Sequence, residues 1–358
     1  MTVMMRLNLK ISLLNNYHFT FLTPMNLFTF EFYFQIVISM KKIQILEQKS
    51  EIGAGTRGAS LGIDALKVAS LNQNNLFFLK YKTKKLEHQN HLLYEENRTP
   101  TAIRIGGIVE VYKATSEGVI EVLNQDTFPL VLSGDHASAG GTIAGIKAAN
   151  PNKRLGVIWI DAHGDLHSPY TSPTGNIHGM PLATALGEDN LDFQIKEIKD
   201  EAKDGWDALK NCQGISPKIR PEDLVFFGVR DTEEPEDKQI EKLNLKNYTV
   251  QETRNLGIKS AVNDALLRLS DCDIIYISFD VDSMDCDLVS RGTGTPVPNG
   301  YSPEEAIQII EEIMKSGKVA CFEMVEINPT LDNKINLMAE TAFAILEKTV
   351  EAIEKHCK

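Results

Sequence analysis

Two short runs constrain this chain more than anything else in it. Val157-Ile158-Trp159-Ile160 and Ile274-Ile275-Tyr276-Ile277 are nearly unbroken in apolar residues, and aspartates follow each within a few positions. A strand exposed on one face alternates apolar and polar side chains, so a run without alternation must be covered on both faces. Such strands belong to a parallel sheet held between layers of helices. The chain from Met40 onward supports this, with β-branched or aromatic runs alternating with segments of helical period. Strands are expected at Ile43 to Leu46, Leu76 to Leu79, Leu130 to Ser133, Gly156 to Ile160, Leu224 to Val229, Tyr248 to Gln251, Ile274 to Phe279 and Val319 to Glu323. Helices are expected at Ile105 to Asn124, Ser138 to Ala149, Pro235 to Leu243, Arg254 to Leu269, Pro303 to Lys315 and Asn336 to His356. The fold class is therefore α/β: a three-layer α/β/α sandwich with a mainly parallel sheet of about eight strands. Lys80 to Thr101 reads as a surface connection, and Asp189 to Pro217 as a helical insertion or loop.

Residues 1–39 stand apart. They are rich in Phe, Asn and Leu, show no helical period, and are interrupted by Asn15, Asn16, Pro24, Asn26 and Glu31. They lack the ~20 apolar residues of a membrane helix and the compact apolar stretch of a signal peptide. The expectation is an N-terminal extension, disordered or a misassigned start, before a single domain at 40–358. A membrane or export role for it is the alternative. The net charge of −12 argues against a nucleic-acid binder, which needs a basic face, but suits a small cationic ligand. Five scattered cysteines without a C-x-x-C pair point away from a disulfide framework or zinc cluster and toward a cytoplasmic protein. No membrane partner is expected.

The chemistry lies just beyond the buried runs. Ser133-Gly134-Asp135-His136, Asp161-Ala162-His163-Gly164-Asp165 and Asp280-Val281-Asp282 each follow an expected strand. Ligands of open α/β sheets bind beyond the carboxyl ends of strands, so the three stretches can meet at one place. Side chains two apart in extended backbone point the same way, which would let Asp161, His163 and Asp165 converge, and likewise Asp280 and Asp282. With His136 these offer two imidazoles and four carboxylates, a set that repels itself unless protonated or bound to metal. Two divalent cations would neutralise it. Oxygen-rich ligation with imidazole and no thiolate suits manganese, with iron, cobalt or zinc as other occupants. One Asp after a strand is ordinarily a turn former, and one His ordinarily a hydrogen-bonded structural residue. Three such strand ends together are better explained by a metal pair. Asp135 is expected to orient a ligand rather than to be one.

The ordered stretches SGDHASAGG, IDAHGDLHSP, TGNIHGMP, SFDVDSMD, GTGTPV and MVEINP resemble the ureohydrolases, and among them most closely the arginases, from Glu51 to the C-terminus. The resemblance implies the arginase fold, two Mn2+ per subunit, a homotrimer or homohexamer, and hydrolysis of L-arginine to L-ornithine and urea by a metal-bridging hydroxide. It implies that His136 and Asp165 bind one ion, that His163 and Asp282 bind the other, and that Asp161 and Asp280 bridge them. Glu326 is similar to the glutamate that pairs with the substrate guanidinium, a planar cation matched to a carboxylate. His178 is similar to the histidine that moves a proton to the departing amine. Thr295 is placed near the guanidinium. Asn176 belongs to the histidine loop, which reads T-G-N-x-H-G where arginases usually have S-G-N-x-H-G.

Several positions depart from the arginase pattern. His167 replaces an asparagine that helps hold the amino acid's α-carboxylate, and Thr174 replaces a serine with a related task. Glu233 stands for an aspartate that recognises the α-amino group. Cys286 interrupts the usual Asp-Pro, and Pro298-Asn299-Gly300 replaces a double glycine. These departures touch substrate recognition and not the ligands. An agmatinase or another guanidino-acid ureohydrolase is therefore the nearest rival, and a non-catalytic, metal-stabilised binding protein the more distant one.

Overall fold

The fully buried runs do become the centre of a parallel sheet. The computed structural model describes residues 42–357, and the proposed 1–39 extension lies outside them. The strands are β1 (Lys42–Gln48), β2 (Lys82–Lys85), β3 (Thr127–Ser133), β4 (Leu155–Ile160), β5 (Leu224–Phe227), β6 (Lys246–Tyr248), β7 (Ile274–Asp280) and β8 (Val319–Val325). They form one eight-stranded sheet in the order β2-β1-β3-β8-β7-β4-β5-β6. Every pairing is parallel. β3, β4 and β7 are buried along their whole length, while β2 at one edge is Lys-Thr-Lys-Lys and half exposed. Charge on an edge strand discourages pairing with another chain.

Alternate residues of each strand enter two different cores. Ile158, Ile160, Val225, Phe227, Ile275, Ile277 and Phe279 pack on one face. That face is covered by α1 (Gly62–Asn72), then by α8 (Ile258–Arg268), α9 (Pro303–Met314) and α10 (Leu337–His356). Val157, Trp159, Phe226 and Tyr276 turn to the other face, against α2 (Ile105–Asn124) and α3 (Ala139–Ala149). Each large apolar side chain buried this way stabilises the fold by ~1.5–3 kcal/mol. The remaining helices are α4 (Pro181–Leu186), α5 (Asp200–Lys210), α6 (Glu234–Lys242) and α7 (Val250–Leu256). None of the helices among the described residues is long and apolar enough to cross a membrane.

Some local expectations need correction. Leu76 to Leu79 is not a strand: Phe77–Lys80 forms a helical turn, and the strand is the polar Lys82–Lys85, which lacks an apolar signature. The expected helix Arg254 to Leu269 begins earlier and is broken at Gly257, whose φ of 79° no helix accommodates, giving α7 and α8. The strand expected at Tyr248 to Gln251 is Lys246–Tyr248, because Thr249 accepts the Glu252 N–H and starts α7. Within Asp189 to Pro217 lies α5, which buries Trp206 and Leu209.

Candidate metal centre

Four strands adjacent in the sheet, β3-β8-β7-β4, deliver the site from their carboxyl ends. Past β3 the chain turns sharply at Gly134, where a Cβ would lie 2.2 Å from the Ser50 carbonyl, so only glycine fits. Asp135 follows and accepts the N–H groups of Gly53 at 2.7 Å and Ala137 at 3.0 Å. It thus fixes the short helical turn His136–Ser138 and the 51–58 loop, and burial together with Glu326 pushes its carboxyl up to about 7.

The alternation expected past Ile160 does not continue as strand. β4 ends at Ile160 and Asp165 has a left-handed φ of 51°, so Asp161 and Asp165 arrive from opposite sides of a turn. Asp280 closes β7, and Asp282 sits in the turn Val281–Ser283 that follows. Asp161 and Asp280 do act as turn formers, with Oδ1 accepting the N–H of His163 at 2.7 Å and of Asp282 at 2.9 Å. Their Oδ2 atoms point elsewhere.

Those Oδ2 atoms meet around one ring nitrogen. His136 Nδ1 lies 3.1 Å from Asp161 Oδ2, 3.0 Å from Asp165 Oδ2 and 3.2 Å from Asp280 Oδ2. One N–H cannot serve three carboxylates, and His136 Nδ1, Asp161 Oδ2 and Asp165 Oδ2 are all buried without a hydrogen-bond partner. The ring is held edge and face: Nε2 is 2.7 Å from Ser278 Oγ, and Trp159 stacks on it at 4.1 Å and 4°. A second group adjoins the first, with His163 Nδ1 3.1 Å from Asp282 Oδ2 and 3.5 Å from Asp161 Oδ1. The two groups share Asp161. Asp231, 3.7 Å from His163 Nε2, backs that ring.

Electrostatics make the cluster unstable as it stands. Burial pulls His136 down, but Asp161, Asp165 and Asp280 overrule it and hold its imidazole well above the ordinary value. Burial would raise Asp161, yet His136 and His163 hold it below the usual carboxylate range. Asp280 goes the other way, driven up by burial and by Asp282 and Asp161. Two imidazoles cannot offset four buried carboxylates, whereas two divalent cations can. The orphaned oxygens, the shared carboxylate and the all-N,O donor set fit such a pair, with each imidazole offering Nδ1.

Beside the cluster, Glu326 follows β8 with a left-handed φ of 66°. Its Oε1 accepts from the His136 backbone N–H at 2.9 Å and lies 3.1 Å from His178 Nδ1, while Oε2 is buried without a partner. Burial would lift the Glu326 carboxyl, but His178 holds it low; conversely burial lowers His178 and Glu326 raises it. The cavity above has a volume of about 280 Å3, and His167, Thr174, Asn176, His178, Glu233 and Thr295 all line it. Thr295 Oγ1 donates to Asp282 Oδ2 at 3.1 Å, and Thr174 Oγ1 accepts the Asn176 N–H at 3.2 Å. His167 uses both ring nitrogens within the protein, Nδ1 against Thr171 Oγ1 at 3.1 Å and Nε2 against Glu233 Oε2 at 2.9 Å. That contact holds Glu233 down to about 2. Glu236 completes the rim and caps α6 together with Glu233; burial pushes it up to about 7. Sequence reasoning passed over Glu236, Asp231 and Ser278. The capping spacing Glu233 to Glu236 and the position of Ser278 two before Asp280 on one strand face were the available signals.

An all-parallel α/β sheet with two adjoining carboxylate–imidazole groups at its strand ends defines a class: α/β proteins built to hold a pair of divalent cations beneath a small polar cavity. The model of the Arginase family matches residues 41–351. The arginase of Bacillus subtilis (strain 168) is 34% identical over 307 residues, 86% of this chain and 97% of that protein. Among solved structures, the native arginase of Bacillus caldovelox aligns with a TM-score of 0.72 at 33% identity, covering 87% of this chain and 98% of that one. The Entamoeba histolytica arginase, solved in complex with L-ornithine, aligns with a TM-score of 0.71 at 25% identity, covering 87% and 98%. The chain belongs to the Arginase family.

Proposed function

We propose that this chain hydrolyses L-arginine to L-ornithine and urea at a centre holding two Mn2+ ions. The observation that carries this reading is the buried, unpartnered Glu326 Oε2 beside two ligand groups that share Asp161. His136, Asp165, Asp161 and Asp280 would hold one ion, and His163 and Asp282, with Asp161 and Asp280, the other. When bound, such a pair lowers the pKa of water and makes a nucleophile available at neutral pH. Mn2+ fits the oxygen-rich donors better than it would a thiolate site.

The remaining work falls to the chain's own side chains. Glu326 Oε2 would accept from the substrate guanidinium, drawing the planar cation down beside the cluster. Relatives called arginases support a guanidino substrate, and the complex of one of them with L-ornithine supports an amino-acid product. His178, raised by Glu326 and bordering the cavity, would give the leaving amine its proton. At the cavity mouth Thr174 and Asn176 would face the α-carboxylate, and Glu233, held by His167, the α-ammonium. Thr295 would fix Asp282 and edge the guanidinium end. Every residue named lies within 40–358, which would form the catalytic domain by itself. A homotrimer or homohexamer agrees with the resemblance, and a cytoplasmic setting with five cysteines that form no disulfide.

Agmatine keeps the guanidinium and amine of arginine but lacks the carboxylate. The Mn2+-loaded protein should release urea from L-arginine at a kcat/KM about 100-fold above that for agmatine, the value of hydrogen bonds to a charged carboxylate that agmatine lacks. Faster release from agmatine would replace the arginase reading with an agmatinase one.

A further inference from the structure

One carboxyl group beneath the cluster takes no part in the reaction just described. Glu323 on β8 is fully buried. Its Oε1 accepts from Ser133 Oγ at 2.6 Å and Ser138 Oγ at 2.9 Å, and its Oε2 from the Tyr276 hydroxyl at 2.7 Å. Sheet register sets Glu323 beside Ser278, which is beside Trp159, so the three form the row directly below the strand ends. Ser278 and Trp159 are the two groups that hold the His136 ring.

The placement of the two serines matters most. Ser133 is the last residue of β3, and Ser138 closes the turn His136–Ser138. Their hydroxyls bracket Gly134-Asp135-His136-Ala137, so one buried carboxyl group grips that segment from both ends. Ser138 Oγ also lies 3.1 Å from the Asp135 carbonyl, so its single proton is shared between that carbonyl and Glu323. A buried carboxyl group is costly to the fold unless it is well hydrogen-bonded, as Glu323 is by three hydroxyls.

We propose that Glu323, acting through Ser133 and Ser138, is a positioning residue that fixes the backbone carrying His136, and so sets the affinity of the cation on the His136 side. The proposal rests on the two-cation reading of the site. Ligand atoms must stand within about 0.2 Å of their bonding distance, and loss of a hydrogen bond made directly to a ligand typically weakens metal binding 10–100-fold; Glu323 acts one step further out, through the backbone, which places its effect at the lower end of that range.

The test is calorimetric titration of the metal-stripped full chain with Mn2+, with the melting temperature of each stripped protein measured alongside. Wild type should bind two Mn2+ per chain; no binding would mean that the two-cation reading itself has failed, and the clamp with it. The double variant Ser133→Ala/Ser138→Ala leaves Glu323 one of its three donors, so it should fold but melt below wild type, and it should lose about 10-fold in one of the two binding events while keeping the other. Tyr276→Phe removes the third donor to the same carboxyl group without touching the bracketed segment. It should lower the melting temperature while both Mn2+ affinities stay within about threefold of wild type. Wild-type affinity for both ions in the double variant would overturn the proposal. So would a loss in Tyr276→Phe equal to that of the double variant, since Glu323 would then serve packing alone. If the double variant does not fold, Ser138→Ala alone is titrated and judged by the same two outcomes.

Discussion

Two residues beside the cluster adopt left-handed backbone without being glycine: Asp165 with φ 51° and Glu326 with φ 66°. Each conformation costs about 1–2 kcal/mol; at Asp165 it turns the side chain toward the cavity, and at Glu326 it turns the side chain out of the end of β8 toward His136 and His178. The proposed roles can be separated by substitution here. Glu326→Gln keeps the shape and the Oε1 acceptor but removes the charge that faces a guanidinium. It should retain two bound Mn2+ and lower kcat/KM for L-arginine by about 10–150-fold, the value of a charged hydrogen bond; unchanged kinetics would remove Glu326 from the site. His178→Asn should also keep its metals but lower kcat by about 100-fold or more with little change in KM. A mutant of undiminished kcat would show that another group protonates the amine.

At the scale of elements, the insertion between β4 and β5 is tied down by one buried cation. Lys218 Nζ donates to the carbonyls of Thr184 in α4 and of Leu209 and Lys210 at the end of α5, so three helix-end acceptors share one ammonium. Burial holds its pKa down to about 8, below the ordinary 10.5. Between these values the unfolded chain keeps the proton that the folded protein has lost. This group's contribution to stability therefore rises with pH through that window and is constant below it. In denaturant titrations from pH 7 to 10, wild type should gain stability relative to Lys218→Met as pH rises, by an amount on the order of 3 kcal/mol at the upper end. Parallel pH profiles would refute the assignment.

The same scale explains what the sequence made legible. Residues buried on both faces betrayed β3, β4 and β7, and helical period gave the extents of α2, α3, α9 and α10, because in each the pattern is the packing. β2 escaped because an edge strand of lysines owes its place to pairing with β1 and not to its own side chains. The six acidic and imidazole ligand candidates were visible as charge massed at strand ends, and the structure brings them together. Their route was not visible: a left-handed turn at Asp165 and a short helical turn at Asp282 replaced simple alternation. Nor was the tie between His167 and Glu233, which joins positions 66 apart through tertiary contact alone.

Across the whole molecule the central strands, the cavity and the charge form one arrangement. A chain of net charge −12 gathers Asp161, Asp165, Asp280 and Asp282 at the carboxyl ends of the two neighbouring strands β4 and β7, where they oppose folding unless offset. On the proposed function two divalent cations do so, and turnover depends on both. The most direct test is to strip the full chain of metal, add Mn2+ in measured equivalents, and follow urea release from L-arginine. The stripped protein should release none, and the rate should climb to a plateau at about two equivalents per chain, as the two-cation centre requires. Full activity in the stripped protein, or no urea at any Mn2+ level from a folded chain, would contradict it.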